Sequence, residues 1–219
     1  MEPELNELLA EAEADPEAVA LVLFGSYAAG SADAESDIDV FYVVRGDPPP
    51  RERRGRLELI PTTLARLRAA EDWAKPSIAY GEVLYDESGE AAAIVAAARE
   101  ITREETAELY DGYLNDFYRS MKAWRRGKEL AARVECGRSL RFLGELLFAL
   151  DGVRAPYPKE WAGKLGPIEP LILEIARTAD PRVQQDVCRT VVGAAAERGY
   201  GDVYDAWDGD IDRVLAFEF

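Results

Sequence analysis

Two short stretches of the 219-residue chain carry residue types from which chemistry could be built. In the first, the apolar run Ala18–Phe24 stops at Gly25-Ser26. Glycine lets a backbone approach a ligand closely, and a serine beside free N–H groups at a helix start offers an anion site. After ten intervening residues, Asp37 and Asp39 flank Ile38. Side chains two apart on a strand point to one face, and two carboxylates held side by side repel unless a cation sits between them. An anion cradle and a paired-carboxylate cation site therefore fall within fifteen residues. Magnesium-dependent phosphoryl transfer requires that combination, because the cation neutralises phosphate charge and orients the attacking oxygen.

Composition narrows the alternatives. The chain contains no histidine, which excludes Ser-His-Asp and Cys-His catalytic pairs and the usual His-containing zinc sites. Its 42 acidic and 26 basic side chains leave a formal charge of −16, so it has no global attraction for nucleic acid or an anionic membrane. Cys136 and Cys188 are the only cysteines and suggest no disulfide framework, making a reducing compartment the default. The acidic N-terminus is unlike a secretory signal, and no apolar run approaches the ~20 residues of a membrane span. A cytoplasmic protein without membrane or nucleic-acid partners is expected. Only five of the 26 basic residues are lysine, a bias that fits either a GC-rich genome or a salt-adapted host.

The elements that must position the two motifs can be read in order. Leu5, Leu8 and Leu9 have helical spacing over residues 4–13, ended by Pro16. Ala18–Phe24 reads as a buried strand and Ile38–Val44 as a second. The segment RGDPPPRERRG reads as a turn that breaks regular structure. Arg56–Ile60 reads as a third strand, antiparallel to the second if that turn is a simple hairpin. Thr62 or Thr63 could cap a helix running to about Trp73. A short strand at Glu82–Tyr85 and an alanine-rich helix to about Glu100 follow.

Beyond residue 102 strand signals disappear. Leu109, Tyr113, Phe117, Met121 and Trp124 form one apolar helical stripe. A second helix runs to Asp151-Gly152, and the Pro-rich connection APYPKEWAGKLGP leads to a third. Asp180-Pro181 starts a fourth helix, and a last one occupies roughly the final fifteen residues. Within the first helix Arg119, Lys122 and Arg126 share a face, with Arg125 and Lys128 nearby. They could grip a triphosphate, but a solvated face opposite the apolar stripe is the favoured reading. Tyr157 and Trp161 read as packing residues of the connection.

The stretch FGSYAAGSADAESDIDV resembles the signature of the nucleotidyltransferase superfamily that includes DNA polymerase beta. It is closest in pattern to minimal and antibiotic nucleotidyltransferases, whose version often reads GSxARG followed by SDIDL. The resemblance covers residues 23–44 specifically and extends loosely to about residue 90. It implies an α+β fold: a small mixed nucleotidyltransferase sheet with flanking helices over residues 1–102, followed by an all-α helical bundle over 103–219. It also implies that Asp37, Asp39 and a third carboxylate from a later strand hold metal, most simply two Mg²⁺ ions. Glu58 stands where that third residue is due, although the family commonly has aspartate there and glutamate reaches ~1.5 Å further. Gly25 and Ser26 would hold the phosphates of ATP or another NTP. One departure is Ala29, where many relatives have arginine.

The expected activity is transfer of a nucleoside monophosphate, AMP from ATP first among them, to a hydroxyl of a small-molecule acceptor such as an aminoglycoside-like antibiotic. An antitoxin-type protein AMPylator and a non-catalytic nucleotide-binding module are the alternatives, and a homodimer is a candidate assembly. With histidine absent, the general base must be a carboxylate, with Glu58, Glu108 and Glu145 all open.

Overall fold

The computed structural model describes residues 2–70 and 74–219, and the chain divides into two compact units, Met1–Glu100 and Ile101–Phe219. The expected α+β architecture is present, with a five-stranded mixed sheet and flanking helices followed by a helical region.

In the first unit the order is α1 (Pro3–Ala14), β1 (Ala18–Phe24), α2 (Gly25–Ala29), β2 (Ile38–Val44), β3 (Glu52–Arg54), β4 (Leu57–Thr62), α3 (Leu64–Arg68), α4 (Lys75–Ala79), β5 (Glu82–Asp86) and α5 (Glu90–Arg99). The strands lie in the order β3-β4-β2-β1-β5. Strand β1 runs antiparallel to both β2 and β5. Strands β2 and β4 are parallel, with Asp39 opposite Glu58.

That parallel pairing corrects the expected antiparallel one. Residues Glu52–Arg54, inside the segment read as a turn, form a strand and pair antiparallel with β4. The reversal of direction occurs at Gly55, whose φ of +62° suits a tight turn. Because β3 takes the hairpin partnership, β4 enters the sheet pointing the same way as β2. The helix foreseen to about Trp73 is capped by the Thr63 hydroxyl, which accepts from Arg66 N at 3.2 Å, and α3 ends at Arg68. Its foreseen end at Trp73 lies outside the described residues.

Strand alternation gives the sheet two buried faces. Ile38, Val40, Leu57 and Leu59 pack with Leu5 and Leu8 of α1 on one side. Val22, Val43, Leu67, Ile78 and Ile94 fill the other. Burying each such side chain contributes roughly 1.5–3 kcal/mol. Tyr42, on the α1 side, donates its hydroxyl to Asp15 Oδ2 at 2.9 Å and ties the end of α1 to the sheet.

The second unit comprises α6 (Arg103–Arg125), α7 (Glu129–Leu150), α8 (Glu169–Thr178), α9 (Pro181–Glu197), α10 (Gly201–Asp205) and α11 (Asp210–Leu215). Thr102 and Glu105 form a reciprocal cap that starts α6. Asp180 caps α9 as foreseen, accepting from Arg182 N at 2.8 Å. The stripe of α6 lies in the core, where Tyr110, Phe117 and Met121 meet Leu143, Leu146 and Ile211. Cys136 and Cys188 are free and buried there. The connection after α7 contains two single 3-10 turns, at Pro158–Glu160 and Gly166–Ile168. Of the C-terminal helix foreseen over roughly the final fifteen residues, only α11 (Asp210–Leu215) forms; it starts after Asp208 and Gly209, whose left-handed φ values of +47° and +75° separate it from α10. Among the described residues no helix is long and apolar enough to cross a membrane.

Trp161 packs in the connection: its indole lies 6.4 Å from the Phe148 ring and donates to Pro156 O at 2.8 Å. A Cβ on Gly144 would meet that indole at 2.0 Å. Gly144→Ala should therefore destabilise the protein by about 1–3 kcal/mol, read as a lower urea midpoint.

Burial, and then the Asp15 bond, push the Tyr42 phenol up from 10 to about 12. A raised pKa favours the neutral phenol in the folded state. Its stabilisation is whole below pH 10 and is lost as pH rises through about 12. Tyr42→Phe should cost about 1 kcal/mol at neutral pH. It should also flatten the decline of the thermal midpoint in that alkaline window.

Candidate active site

One end of the sheet gathers the residues singled out in the sequence. Because β1 runs antiparallel to β2, and β4 parallel to it, β1 ends where β2 and β4 begin. Gly25 follows the end of β1, Asp37 stands one residue ahead of β2, and Asp39 and Glu58 are the second residues of β2 and β4. Asp39 is paired with Phe24 on one side and with Glu58 on the other. Their neighbours Ile38, Val40, Leu57 and Leu59 all enter the α1-side core, so both carboxylates rise from the opposite face. Stacked rings of Phe24 and Phe41, 4.2 Å apart, lie on that face too.

Gly25 begins α2 with a φ of +71°. A Cβ there would stand 2.7 Å from Asp39 Oδ2. Glycine is thus required twice, by the backbone conformation and by the carboxylate laid against it. Ser26 is buried in the first turn, and its carbonyl accepts from Ser31 N at 2.9 Å. The spacer between the motifs is shaped by Asp33 and Ser36: Asp33 N donates to Ser36 Oγ at 2.9 Å, and Ser36 Oγ donates to Asp33 Oδ1 at 3.0 Å. Ala29 is exposed at the end of α2.

Strand β3 supplies what the sequence reading missed. Arg53 pairs with Asp37 at 2.5 Å, and Arg51 pairs with Glu58. Arg54, alternating to the other face, instead reaches Glu11 of α1 at 2.6 Å. The signal lay in the period-two pattern of Arg51-Glu52-Arg53-Arg54, which was hidden among prolines in a segment read as a turn.

As donors, three carboxylates fit a hard divalent cation in kind, and Asp39 and Glu58 fit one in register. Among the described residues, however, no three Asp, Glu or Cys side chains converge into a metal-holding group. The positive charge beside Asp37 and Glu58 is provided by guanidinium groups, so a cation would have to displace Arg53 and Arg51 from them. The other carboxylates considered as base belong to the helical unit. Glu108 is exposed on α6, and Glu145 on α7 pairs with Arg141 at 3.1 Å.

Comparison with known proteins bears on this end of the sheet. Residues 5–75 match the family model described as nucleotidyltransferase domain, a span that contains Gly25, Ser26, Asp37, Asp39 and Glu58. Among solved structures, the chain is similar to a nucleotidyltransferase-like protein from Exiguobacterium sibiricum at 13% identity and a TM-score of 0.47, over 96% of this chain and 76% of that one. No curated protein matches the chain significantly.

Gly25→Ala should cost about 1–3 kcal/mol through the left-handed backbone and the Asp39 contact together. In an Asp39→Ala background the same change should cost less, because the opposing oxygen is gone. A double-mutant cycle in urea measures the difference.

Proposed function

We propose, from the match of residues 5–75 to the nucleotidyltransferase-domain family model, that the protein transfers a nucleoside monophosphate, AMP from ATP in the first instance, to a hydroxyl of a small-molecule acceptor. The observation that carries this reading is the shared register of Asp39 and Glu58, with Gly25 against Asp39, at one end of the sheet. Asp37, Asp39 and Glu58 would hold magnesium, two ions at full occupancy. When bound, these ions neutralise phosphate charge and orient the attacking oxygen. Gly25 and Ser26 would receive the phosphates beyond the one transferred. The acceptor oxygen bonds to the α-phosphorus, the bond to pyrophosphate breaks, and a carboxylate takes the hydroxyl proton. A net charge of −16 favours a cationic, hydroxyl-rich acceptor, of which aminoglycosides are an example.

The Arg53–Asp37 and Arg51–Glu58 pairs favour a second reading, in which the same site binds nucleotide without turnover. Calorimetry with ATP and Mg²⁺ alongside a turnover assay separates the two: binding without consumption supports the module, and any consumption removes it. A protein acceptor keeps the same chemistry and would appear as a mass increase on a co-expressed partner.

Asp37→Asn and Asp39→Asn should each lower pyrophosphate release by at least about 100-fold, with folding unchanged by circular dichroism. If wild-type protein with Mg²⁺ consumed no nucleotide across a broad panel of antibiotics and sugars, the transferase reading would fail.

A further inference from the structure

The helical unit has a cavity of about 400 Å³ whose lining includes Arg119, Lys122, Arg126 and Lys128 together with Tyr118, Trp207 and Glu135. These are the cations that the sequence reading assigned to a solvated face. The chain carries 42 acids against 26 bases, so a basic side chain has every opportunity to find a carboxylate. Fourteen arginines, from Arg45 to Arg213, do so among the described residues. Arg119, Lys122, Arg126 and Lys128 make no ion pair among the described residues. Lys122 instead sits 4.5 Å over the Tyr118 ring and donates to its hydroxyl at 3.1 Å.

Helix stability explains only part of this arrangement. Lys122 and Arg126 lie at the C-terminal end of α6, where cations suit the helix dipole. Arg119 is nearly two turns further back. Lys128 is the N-cap of α7, where a positive charge opposes the dipole and its side chain makes no capping bond. Gly127, with φ +65°, makes the tight turn that sets Arg126 and Lys128 on either side of it. The chain therefore accepts an electrostatic cost at Lys128 and mutual repulsion among four cations around one cavity.

The walls are fixed by contacts outside the cation cluster. Trp207 packs 5.6 Å from Tyr118 and donates its indole N–H to Asp111 at 3.0 Å. The Tyr118 hydroxyl donates to Asp210 at 3.3 Å. Glu135 contributes the one carboxylate of the lining, and its buried Oε2 accepts no hydrogen bond, the nearest cation being Arg138 at 3.6 Å.

We infer that this cavity is a binding site for a phosphorylated small molecule. Its phosphate groups are held by Arg119, Arg126, Lys122 and Lys128, and a hydroxyl or N–H of its organic part donates to Glu135. Guanidinium groups match phosphate oxygens in pairs, and lysine adds compact charge. The site lies wholly within the helical unit and shares no residue with Asp37, Asp39 and Glu58, so it stands whether or not those carboxylates catalyse transfer.

The test is calorimetric titration of the full chain, in EDTA, with inorganic pyrophosphate and with ATP. Saturable one-to-one binding that weakens as salt rises is expected. It should weaken at least tenfold in R119Q/R126Q and in K128Q, and remain within twofold of wild type in D39N. Arg119, Arg126 and Lys128 are exposed, and thermal melting checks folding of every variant. ATP binding tighter than pyrophosphate identifies an organic phosphate ester as the ligand class, with E135Q then weakening ATP alone. Pyrophosphate binding more tightly supports the phosphate cradle and overturns the role of Glu135. No saturable binding by either probe at low salt, or binding lost in D39N and kept in R119Q/R126Q, overturns the site.

Discussion

The carboxylate of Asp39 lies against the backbone of Gly25, and the candidate site depends on that contact. It exists because antiparallel pairing sets Asp39 opposite Phe24, the last residue of β1, so the chain leaves the strand directly beside the carboxylate. A side chain at position 25 would stand 2.7 Å from Asp39 Oδ2 and would require a left-handed conformation as well. The glycine therefore lets a buried serine turn and an acidic strand share one end of the sheet. The parallel partnership of β2 and β4 then brings Glu58 level with Asp39. Register between three strands, more than any single bond, defines the site.

Carboxylates at one end of the sheet need positive charge beside them, and here the segment Arg51–Arg54 supplies it. Arg53 of β3 reaches Asp37 and Arg51, just ahead of the strand, reaches Glu58, while Arg54 goes to α1. These pairs are largely exposed on the arginine side, so each is worth little in isolation. Their effect is local: they relieve repulsion between acids that the register forces together. Any divalent cation entering the site competes with two guanidinium groups, and the affinity observed is the difference between the two kinds of partner.

The parts of this structure legible in the sequence are those governed by local pattern. The buried strand Ala18–Phe24, the apolar stripe of α6 and the Asp180 cap of α9 follow from hydrophobic periodicity and capping chemistry. Gly25, Asp37 and Asp39 were legible as a spacing and Glu58 through the resemblance, and pairing puts them at one end of the sheet. What escaped was non-local. The alternation over Arg51–Arg54 is short and follows a run of prolines, and the direction of β4 depends on a hairpin rather than on its own composition. The break at Asp208 and Gly209 escaped because one left-handed non-glycine residue carries no strong local signal. The cavity in the helical unit is the same kind of case: the shared face of Arg119, Lys122 and Arg126 was visible, but only the turn at Gly127 adds Lys128 and only the fold adds Trp207.

Departures from local preference also mark where stability does not account for the structure. Most of this chain obeys it: glutamates open α6, apolar residues alternate on strands, and arginines find acids. Among the places that do not, three concern the two candidate sites. Gly25 occupies a conformation that other residues resist, carboxylates are held together at the head of β2 and β4, and Lys128 stands at a helix N-terminus among other unpaired cations. Each costs free energy that simpler residues would have spared, and sequences that fold well tend to break such rules where something besides folding requires it. An acid surplus of this size makes the cation cluster the more telling departure. Repulsion among acids can be relieved by any arginine at hand, whereas cations that make no ion pair among the described residues of an acidic protein have to be kept from the carboxylates that surround them.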